Sequence, residues 1–245
     1  MMQTVMANNP QTSSAQGVMH PWRLLRKQPF LCPAPPVRGA STGATHAVLR
    51  LVVHGRSGGE IPACLLEFAK DLEVQRQAPV ELEALTAEPL PTQADTNYWL
   101  MPFLLLPGSH ACSDLPQIRD RMRCAGGQVT MLPFLGAWPQ WWELLRAWIA
   151  MSESQGKAMV VVHHPLRSGL PSRYLALLQH ELGCELVSAD TWEEHSKQHP
   201  SACPLPLALA PNRMAEALRQ AGGLPSLLDD QQLRSGLISL FSLLS

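Results

Sequence analysis

The chain has 245 residues with 19 basic and 20 acidic side chains, which sets the formal net charge at −1 at pH 7. This near-neutral balance provides no basic surface for nucleic acid or for an anionic membrane, so we expect neither partner. No apolar run approaches the roughly 18 residues that a membrane-spanning helix needs. A chain of this length can bury a substantial core, either as one large domain or as two lobes.

Six cysteines occur without any C-x-x-C pair or zinc-ligand spacing. Several lie inside apolar runs, where a cysteine behaves as a small apolar side chain. The six are Cys32, Cys64, Cys112, Cys124, Cys184 and Cys203. Reduced, buried thiols are typical of a cytoplasmic protein, which is the location we expect.

The first 45 residues differ in composition from the rest of the chain. They are rich in Pro, Ser, Gln and Gly, show little hydrophobic periodicity, and lack the basic start and apolar core of a secretory signal. Such a segment buries too little apolar surface to offset the entropy of ordering. Residues 1–45 are therefore predicted to form a disordered N-terminal arm.

Regular patterns begin at Ala47, where strands and helices start to alternate. Predicted strands are apolar or alternating runs, and predicted helices carry apolar residues at three- and four-residue spacing. Strands are expected at 47–53, 80–85, 98–106 and 128–134, helices at 63–75 and 110–124, and a turn plus helix at 135–150. This alternation predicts a parallel, doubly wound sheet in a lobe spanning residues 46–152.

The second half of the chain repeats this pattern in a degenerate form. Strands are expected at 157–163, 184–187 and 205–210, and helices at 172–182, 214–220 and 227–244. Aligning Pro206 with Pro102 puts Met214 in the position of His110, and His163 takes the position of His54. We therefore predict an internal duplication: an α/β fold of two flavodoxin-like, doubly wound parallel-sheet lobes. The second lobe, residues 153–245, is expected to have lost the paired histidines.

Two histidines of the first lobe each follow a predicted strand. His54 precedes Gly55, and His110 follows Gly108 and Ser109, the predicted N-cap of the next helix. Open α/β sheets bind ligands at the carboxyl ends of their strands. Imidazole binds first-row divalent metals and accepts protons near neutral pH, so this pair predicts a metal or proton-transfer site. The alternative is that each ring is only hydrogen-bonded to a loop carbonyl.

Three carboxylates lie near these histidines in the predicted topology. Glu83 projects from the second strand, and Glu88 follows its end; either could complete a metal site or be a solvated surface group. Asp114 lies four residues after His110, where it could orient the imidazole or serve as a helix-face carboxylate.

Other functional classes find no support in the sequence. The H-G-R-S-G-G turn is not a nucleotide-binding P-loop, and no G-x-S-x-G nucleophile motif occurs. Four tryptophans follow the fourth predicted strand, at Trp138, Trp141, Trp142 and Trp148. They are expected to pack in the core or between lobes, with a wall for a flat macrocycle as the alternative.

Three motifs together resemble the class II chelatases of the sirohydrochlorin cobalt/iron chelatase family. That family has an H-G-S motif after an early strand, then P-x-F-L-x-x-G-x-H-x-x-x-D-[IL]-P, then an L-G-x-x-P turn. Here these correspond to His54 to Ser57, Pro102 to Pro116, and Leu135 to Pro139. The similarity covers about residues 47–150, and the second half matches only as a degenerate repeat, as in the two-lobed members.

The resemblance implies insertion of Fe²⁺ or Co²⁺ into sirohydrochlorin, without ATP, in siroheme or cobalamin biosynthesis. His54 and His110 would bind the metal and take up pyrrole protons, with Glu83 as a further metal ligand. Substrate-binding residues would be Arg56, Ser57, Gly108 and Ser109. Asp114 would orient the imidazole of His110. The metal would be a substrate, no cofactor would be permanently bound, and the protein would act as a monomer on a sirohydrochlorin-type tetrapyrrole.

The sequence departs from the family pattern at two of these positions. Leu85 occupies the position of a glutamate that the family usually has, and Glu83, on the same strand face, is a candidate substitute. Arg56 interrupts the H-G-S motif, although its guanidinium suits the carboxylates of the tetrapyrrole. The missing glutamate motivates an alternative function, a non-catalytic relative that binds tetrapyrrole or metal. A third hypothesis is a scaffold whose histidines are structural.

Overall fold

The computed structural model describes residues 47–56, 58–166 and 170–244, without the side chains of residues 109–112, 170 and 171. The predicted arm, residues 1–45, therefore lies outside the described residues, as does Ser57. Within the described part of the chain, no helix is both long and apolar enough to cross a membrane.

Two parallel sheets form the framework, as the sequence predicts. The first contains β1 (Val48–Val53), β2 (Val80–Ala84), β3 (Asn97–Pro102) and β4 (Gln128–Met131) in the order β2-β1-β3-β4. The second contains β5 (Ala158–His163), β6 (Glu185–Ser188) and β7 (Ala202–Pro206) in the order β6-β5-β7. Each strand pair is parallel, so the α/β class and the doubly wound sheets are confirmed.

Helices connect most of these strands. They are α1 (Ala63–Arg76), α2 (Ser109–Cys124), α3 (Pro139–Ser154), α4 (Leu170–Leu182), α5 (Trp192–Gln198), α6 (Arg213–Gln220) and α7 (Gln231–Ser242). Short 3-10 turns at Leu135–Ala137 and Leu227–Asp229 precede α3 and α7. The link from β2 to β3 contains no helix, in agreement with its shortness in the sequence. Helix α5 carries no buried residue, which is why no apolar pattern predicted it.

The central strand of the first sheet is buried on both faces. Leu49, Leu51 and Val52 are fully buried, and Val53 is nearly so. One face packs against α2 through Leu115 and other apolar residues. A strand covered by helices on both sides has this continuous apolar composition, which is why the sequence pattern predicts β1.

Three predicted strands have clearly different bounds in the structure. The strand expected at 128–134 is β4, which ends at Met131. The strand expected at 98–106 ends at Pro102, because the Leu104 carbonyl oxygen accepts from the Gly136 N–H (3.0 Å) instead of a neighbouring strand. The strand expected at 205–210 is β7, which contains Pro204 and Pro206. Proline lacks the N–H that a central strand must donate, but β7 is an edge strand and tolerates it.

The two sheets align through equivalent hydrogen bonds. Val52 pairs with Pro102 as Val162 pairs with Pro206. The Val52 carbonyl oxygen accepts from Phe103 N–H, and that of Val162 accepts from the N–H of Leu207, each at 2.8 Å. These matched pairs make Val162 the structural counterpart of Val52.

This register corrects one prediction. The counterpart of His54, two residues after Val52, is His164, and His163 corresponds to Val53. The prediction that His163 takes the position of His54 is therefore wrong by one residue. A histidine does follow the first strand of the second sheet, so only the counterpart of His110 has been lost, at Met214.

The last helix returns to pack against the first. Phe241 of α7 is fully buried and lies with its ring centroid 6.2 Å from Phe68 of α1. The same ring is 5.7 Å from Phe103 and 5.3 Å from Trp138, both beside the first sheet. The tryptophans of α3 are also buried, which confirms the prediction of core packing. The lobe boundary between residues 152 and 153 stays a prediction.

Replacing Phe241 tests the contribution of this aromatic cluster. Phe241→Ala is expected to lower the free energy of unfolding by about 3–5 kcal/mol, because it removes a fully buried ring and leaves a cavity. Leu243→Ala, at the C-cap of the same helix and 74% exposed, should change it by less than about 0.5 kcal/mol. Denaturant unfolding monitored by tryptophan fluorescence measures both, and equal effects would contradict the packing role of α7.

Candidate functional site

Contacts through α6 connect the loops that follow the carboxyl ends of β1 and β5, and we call the region between these loops the cleft. The loop after β1 contacts α6, which follows the last strand of the second sheet. The Arg56 Nη2 atom lies 3.5 Å from Oε1 of Glu216 in that helix. One turn earlier on that helix, Asn212 Nδ2 lies 3.5 Å from Nε2 of His164, which follows β5. These two contacts therefore bring the loops that carry His54 and His164 to the same cleft.

His54 is held by a tight turn. It is exposed, and its Nδ1 lies 3.1 Å from the Gly55 carbonyl oxygen. A carbonyl can only accept, so Nδ1 carries the hydrogen and Nε2 of the neutral ring has the lone pair. The turn needs Gly55, because its φ is 71° and an added Cβ would come within 2.6 Å of Thr86 Oγ1.

Backbone contacts fix the rest of this turn. The Thr86 hydroxyl donates to the Arg56 carbonyl oxygen at 2.8 Å, which ties the loop after β1 to the loop after β2. Arg56 itself is partly exposed and has two carboxylates nearby, Glu216 and, at 3.9 Å, Glu60. Its guanidinium is thus on the cleft side, where the resemblance places a substrate-binding residue.

His110 lies at the second position of α2. Its helix begins beside β3, which pairs directly with β1, so the topology puts the backbone of His110 at the same rim as His54. The N-cap is Gly108 and not Ser109, which already has helical geometry. Asp114 is half-buried, one turn further along α2. Sequence analysis therefore located the rim correctly and misplaced the cap by one residue.

Glu83 makes contacts that differ from those of a metal ligand. It is 3% exposed, and its Oε2 accepts from Arg50 Nη1 at 3.2 Å. Its Oε1 binds the guanidinium of Arg121 on α2. Both oxygens are therefore engaged by positive charges, and metal binding would require Glu83 to leave them. These contacts favour a structural role, in which the carboxylate compensates the fully buried Arg50.

The other carboxylate candidates leave the described site poor in acidic ligands. Glu88 is exposed on the link after β2, and Leu85 is partly buried against the core that supports α2. Among the residues whose side chains the structure describes, no three His, Cys, Asp or Glu groups are placed to hold a metal ion. The His110 side chain is outside that set, so the pairing of His54 with His110 stays a prediction.

Two residues of the second sheet were missed by the sequence analysis. His164 follows β5, and Asn212 caps α6 by accepting the Ala215 N–H at 2.9 Å. The signal was present in the doubled histidine at 163–164, but hydrophobic pattern alone does not show which of two neighbours ends a strand. His163, the one chosen, is 7% exposed and lies in the core.

Hydroxyl contacts also join the two sheets behind the cleft. The Tyr174 hydroxyl of α4 lies 2.8 Å from the Leu105 carbonyl oxygen and 2.7 Å from that of Gly136. Burial raises the pKa of Tyr174 well above its usual value, so the phenol stays protonated and keeps its hydrogen for these carbonyls. Gly136 is required there, because a Cβ would meet the Leu105 oxygen at 1.9 Å.

Comparison with known proteins identifies the fold. No protein-family model and no curated protein sequence matches the chain. Among solved structures, CbiX, the terminal enzyme for siroheme biosynthesis in denitrifying bacteria, aligns with a TM-score of 0.55 and 22% identity over 79% of this chain and 97% of that chain. The sirohydrochlorin chelatase SirB from Bacillus subtilis subspecies spizizenii, solved in complex with cobalt, aligns with a TM-score of 0.48 and 15% identity over 81% and 95% of the two chains.

The alignment with CbiX confirms the fold that the sequence motifs imply. The chain has the fold of the class II chelatases, with two parallel sheets. At this level of identity the likeness defines the architecture, and the chemistry has to be argued from the residues of the cleft.

The structural role of Glu83 makes a testable prediction. Glu83→Gln should lower the free energy of unfolding by about 3 kcal/mol, because it leaves the charge of Arg50 incompletely compensated in the core. Glu88→Gln, at an exposed position after the same strand, should change it by less than about 0.5 kcal/mol. Urea unfolding of the two variants measures the difference. Unchanged stability together with weaker Co²⁺ binding in Glu83→Gln would instead make Glu83 a metal ligand.

Proposed function

We propose that this protein is a chelatase that inserts Fe²⁺ or Co²⁺ into a sirohydrochlorin-type tetrapyrrole without ATP. Its fold matches that of CbiX, the terminal enzyme for siroheme biosynthesis in denitrifying bacteria. Its three sequence motifs resemble those of the class II chelatases. In this proposal the metal is a substrate, and the protein holds no permanent cofactor.

The main observation that supports the proposal is the position of His54. It follows a buried central strand, at the rim where the helix containing His110 also begins. Its Nδ1–H donates to a backbone carbonyl, which is the usual support of a metal-binding imidazole and directs the lone pair to Nε2. A site with few protein ligands suits a metal that must be released into a macrocycle, whereas four closed ligands would retain it.

The chemistry requires both metal binding and proton uptake. Two pyrrole N–H bonds break while metal–nitrogen bonds form, and the two protons pass to bases or to water. In this proposal His54 and His110 present the divalent metal and accept protons, because neutral imidazole can do either. No electron is transferred, so the reaction needs no redox partner.

Arg56 is proposed to bind a substrate carboxylate. Its present partner, Glu216, is more than half exposed, and the 3.5 Å contact between them is long. An exposed ion pair of this kind contributes little to stability, so a tetrapyrrole carboxylate can replace Glu216 without much cost. Among the described residues, no atom lies within 4 Å of a Cβ added at Gly108. We propose Gly108, Ser57 and Ser109 as further substrate-binding residues.

The thiols fit a reducing compartment, and we place the activity in the cytoplasm. Cys64, Cys124, Cys184 and Cys203 are free in the described part of the chain. Burial raises the pKa of Cys64 and of Cys184 to about 11, so both remain protonated and unreactive near neutral pH. We propose a monomer, because a single chain supplies both sheets that border the cleft.

One observation favours a second candidate function, that of a non-catalytic protein that binds tetrapyrrole or metal. Leu85 replaces the glutamate usual in the family, and the nearest candidate, Glu83, has both oxygens engaged by arginines. A protein with this deficit could still hold the macrocycle through Arg56 while metallating it slowly. The two functions differ in rate and not in binding.

The rate of metal insertion tests the chelatase proposal. Wild type should accelerate the absorbance change of sirohydrochlorin with Co²⁺, and anaerobically with Fe²⁺, above the uncatalysed rate and without ATP. His54→Ala and His110→Ala should each lower the catalysed rate by about a hundredfold or more, because each removes a base and a metal ligand. His180→Ala, on the exposed side of α4, is the matched control and should keep full activity.

Metal-free titration separates the two candidate functions. Binding of sirohydrochlorin with no rate above background would support the non-catalytic function and overturn the chelatase. Absence of both rate and binding would leave the histidines with structural roles only. Comparing initial rates with Co²⁺ and Fe²⁺ decides the metal, which imidazole alone does not discriminate.

A further inference from the structure

The second sheet places an imidazole opposite the proposed active site. His164 is the counterpart of His54, because each is two residues beyond a valine that pairs with the last proline of a neighbouring strand. The sheets thus present the same side chain at equivalent positions of the duplicated fold. Both residues are exposed, so neither ring is needed to fill the core.

Two contacts connect the loops that carry these histidines. Arg56, two residues after His54, reaches Glu216 of α6 at 3.5 Å. Asn212, one turn before Glu216, lies 3.5 Å from the His164 ring. Each side of the cleft is therefore in contact with the N-terminal turn of α6, and a ligand between the sheets would meet both imidazoles.

The hydrogen-bonding pattern defines which nitrogen of His164 has the lone pair. The Oδ1 atom of Asn212 accepts from Ala215 N–H at 2.9 Å, which orients the amide NH₂ group towards His164. Because this NH₂ group only donates, Nε2 of His164 is the acceptor, and the hydrogen of the neutral ring is on Nδ1. The basic nitrogen therefore lies beside the first turn of α6.

A buried neighbour holds the backbone of His164. His163 points into the core, and its Nδ1 lies 2.7 Å from the His164 carbonyl oxygen. The His163 carbonyl oxygen in turn accepts from Ala189 N–H at 2.9 Å. These bonds explain why two histidines stand together: the buried one fixes the loop, and the exposed one faces the cleft.

The electrostatics agree with this placement. Partial burial lowers the pKa of His164, and electrostatic interaction with His54 and His163 lowers it further. The His164 ring is therefore mainly neutral near pH 7, the state that can accept a proton.

We propose that His164 contacts the tetrapyrrole from the side of the second sheet and accepts one of the two pyrrole protons during metal insertion. The N–H bond of the pyrrole breaks and its electron pair forms the bond to the divalent metal. Nε2 of His164 gives up its long contact with Asn212 Nδ2 (3.5 Å), takes the proton and then passes it to water. His54, on the first sheet, is left to present the metal. This role rests on the proposed chelatase function, since it needs a macrocycle in the cleft.

Variants of His164 test this role. In Co²⁺ insertion into sirohydrochlorin, His164→Ala should lower kcat by about tenfold to a hundredfold and leave KM for Co²⁺ within about twofold. His164→Gln keeps a polar side chain but cannot accept the proton, so it should be as slow as His164→Ala. Added imidazole should restore part of the rate of His164→Ala but not that of His164→Gln. His180→Ala is the matched control, because its ring is 82% exposed and remote from the described cleft contacts.

The possible outcomes separate this proposal from the function on which it rests. If wild type inserts no metal above background, the chelatase function and the role of His164 fail together. If wild type is active and His164→Ala matches His180→Ala, only the role of His164 is overturned. Full activity of His164→Gln, or a loss of rate that imidazole does not restore, would also overturn proton acceptance. Unfolding curves of each variant confirm that the fold is intact.

Discussion

The buried charge of Arg50 constrains the first sheet more than any other single group. Its side chain is fully buried in the central strand, where an unpaired guanidinium would cost several kcal/mol. Glu81 and Glu83 of the next strand compensate it, and the Pro91 carbonyl oxygen accepts from it at 2.7 Å. Because Glu83 also binds Arg121 of α2, one charge network joins two strands, the helix-free link and the helix that starts at the cleft.

This network explains how the fold can form a site without the usual glutamate. A carboxylate on β2 is still present, but it has been drawn into the core, where it positions α2. The cleft is consequently bordered by imidazole, amide and guanidinium groups, with the exposed carboxylates Glu60 and Glu216 beside Arg56. Such groups bind a divalent metal loosely, and a guanidinium binds carboxylates well, which agrees with the function that we propose.

The duplication has left the two sheets similar in backbone and different in chemistry. Both central strands are followed by a histidine, at His54 and His164, and both rim helices begin seven residues after the aligned proline. At the second position of those helices the first sheet has His110, whereas the second has Met214, which is buried. Contacts made by Phe241 and Tyr174 hold the sheets together, so the unequal halves border one cleft.

The sequence by itself determined the fold class, most elements and the rim on which the histidines lie. Buried strands and helices have strong hydrophobic patterns, and the motif from Pro102 to Pro116 specifies a strand followed by a helix. It did not determine the partners of Glu83 or which of His163 and His164 faces the cleft. Those depend on the register between strands and on residues distant in the chain, such as Arg121 and Asn212. Only the tertiary structure brings these groups together, because a buried charge or an exposed ring is defined by its neighbours in space and not by its position in the sequence.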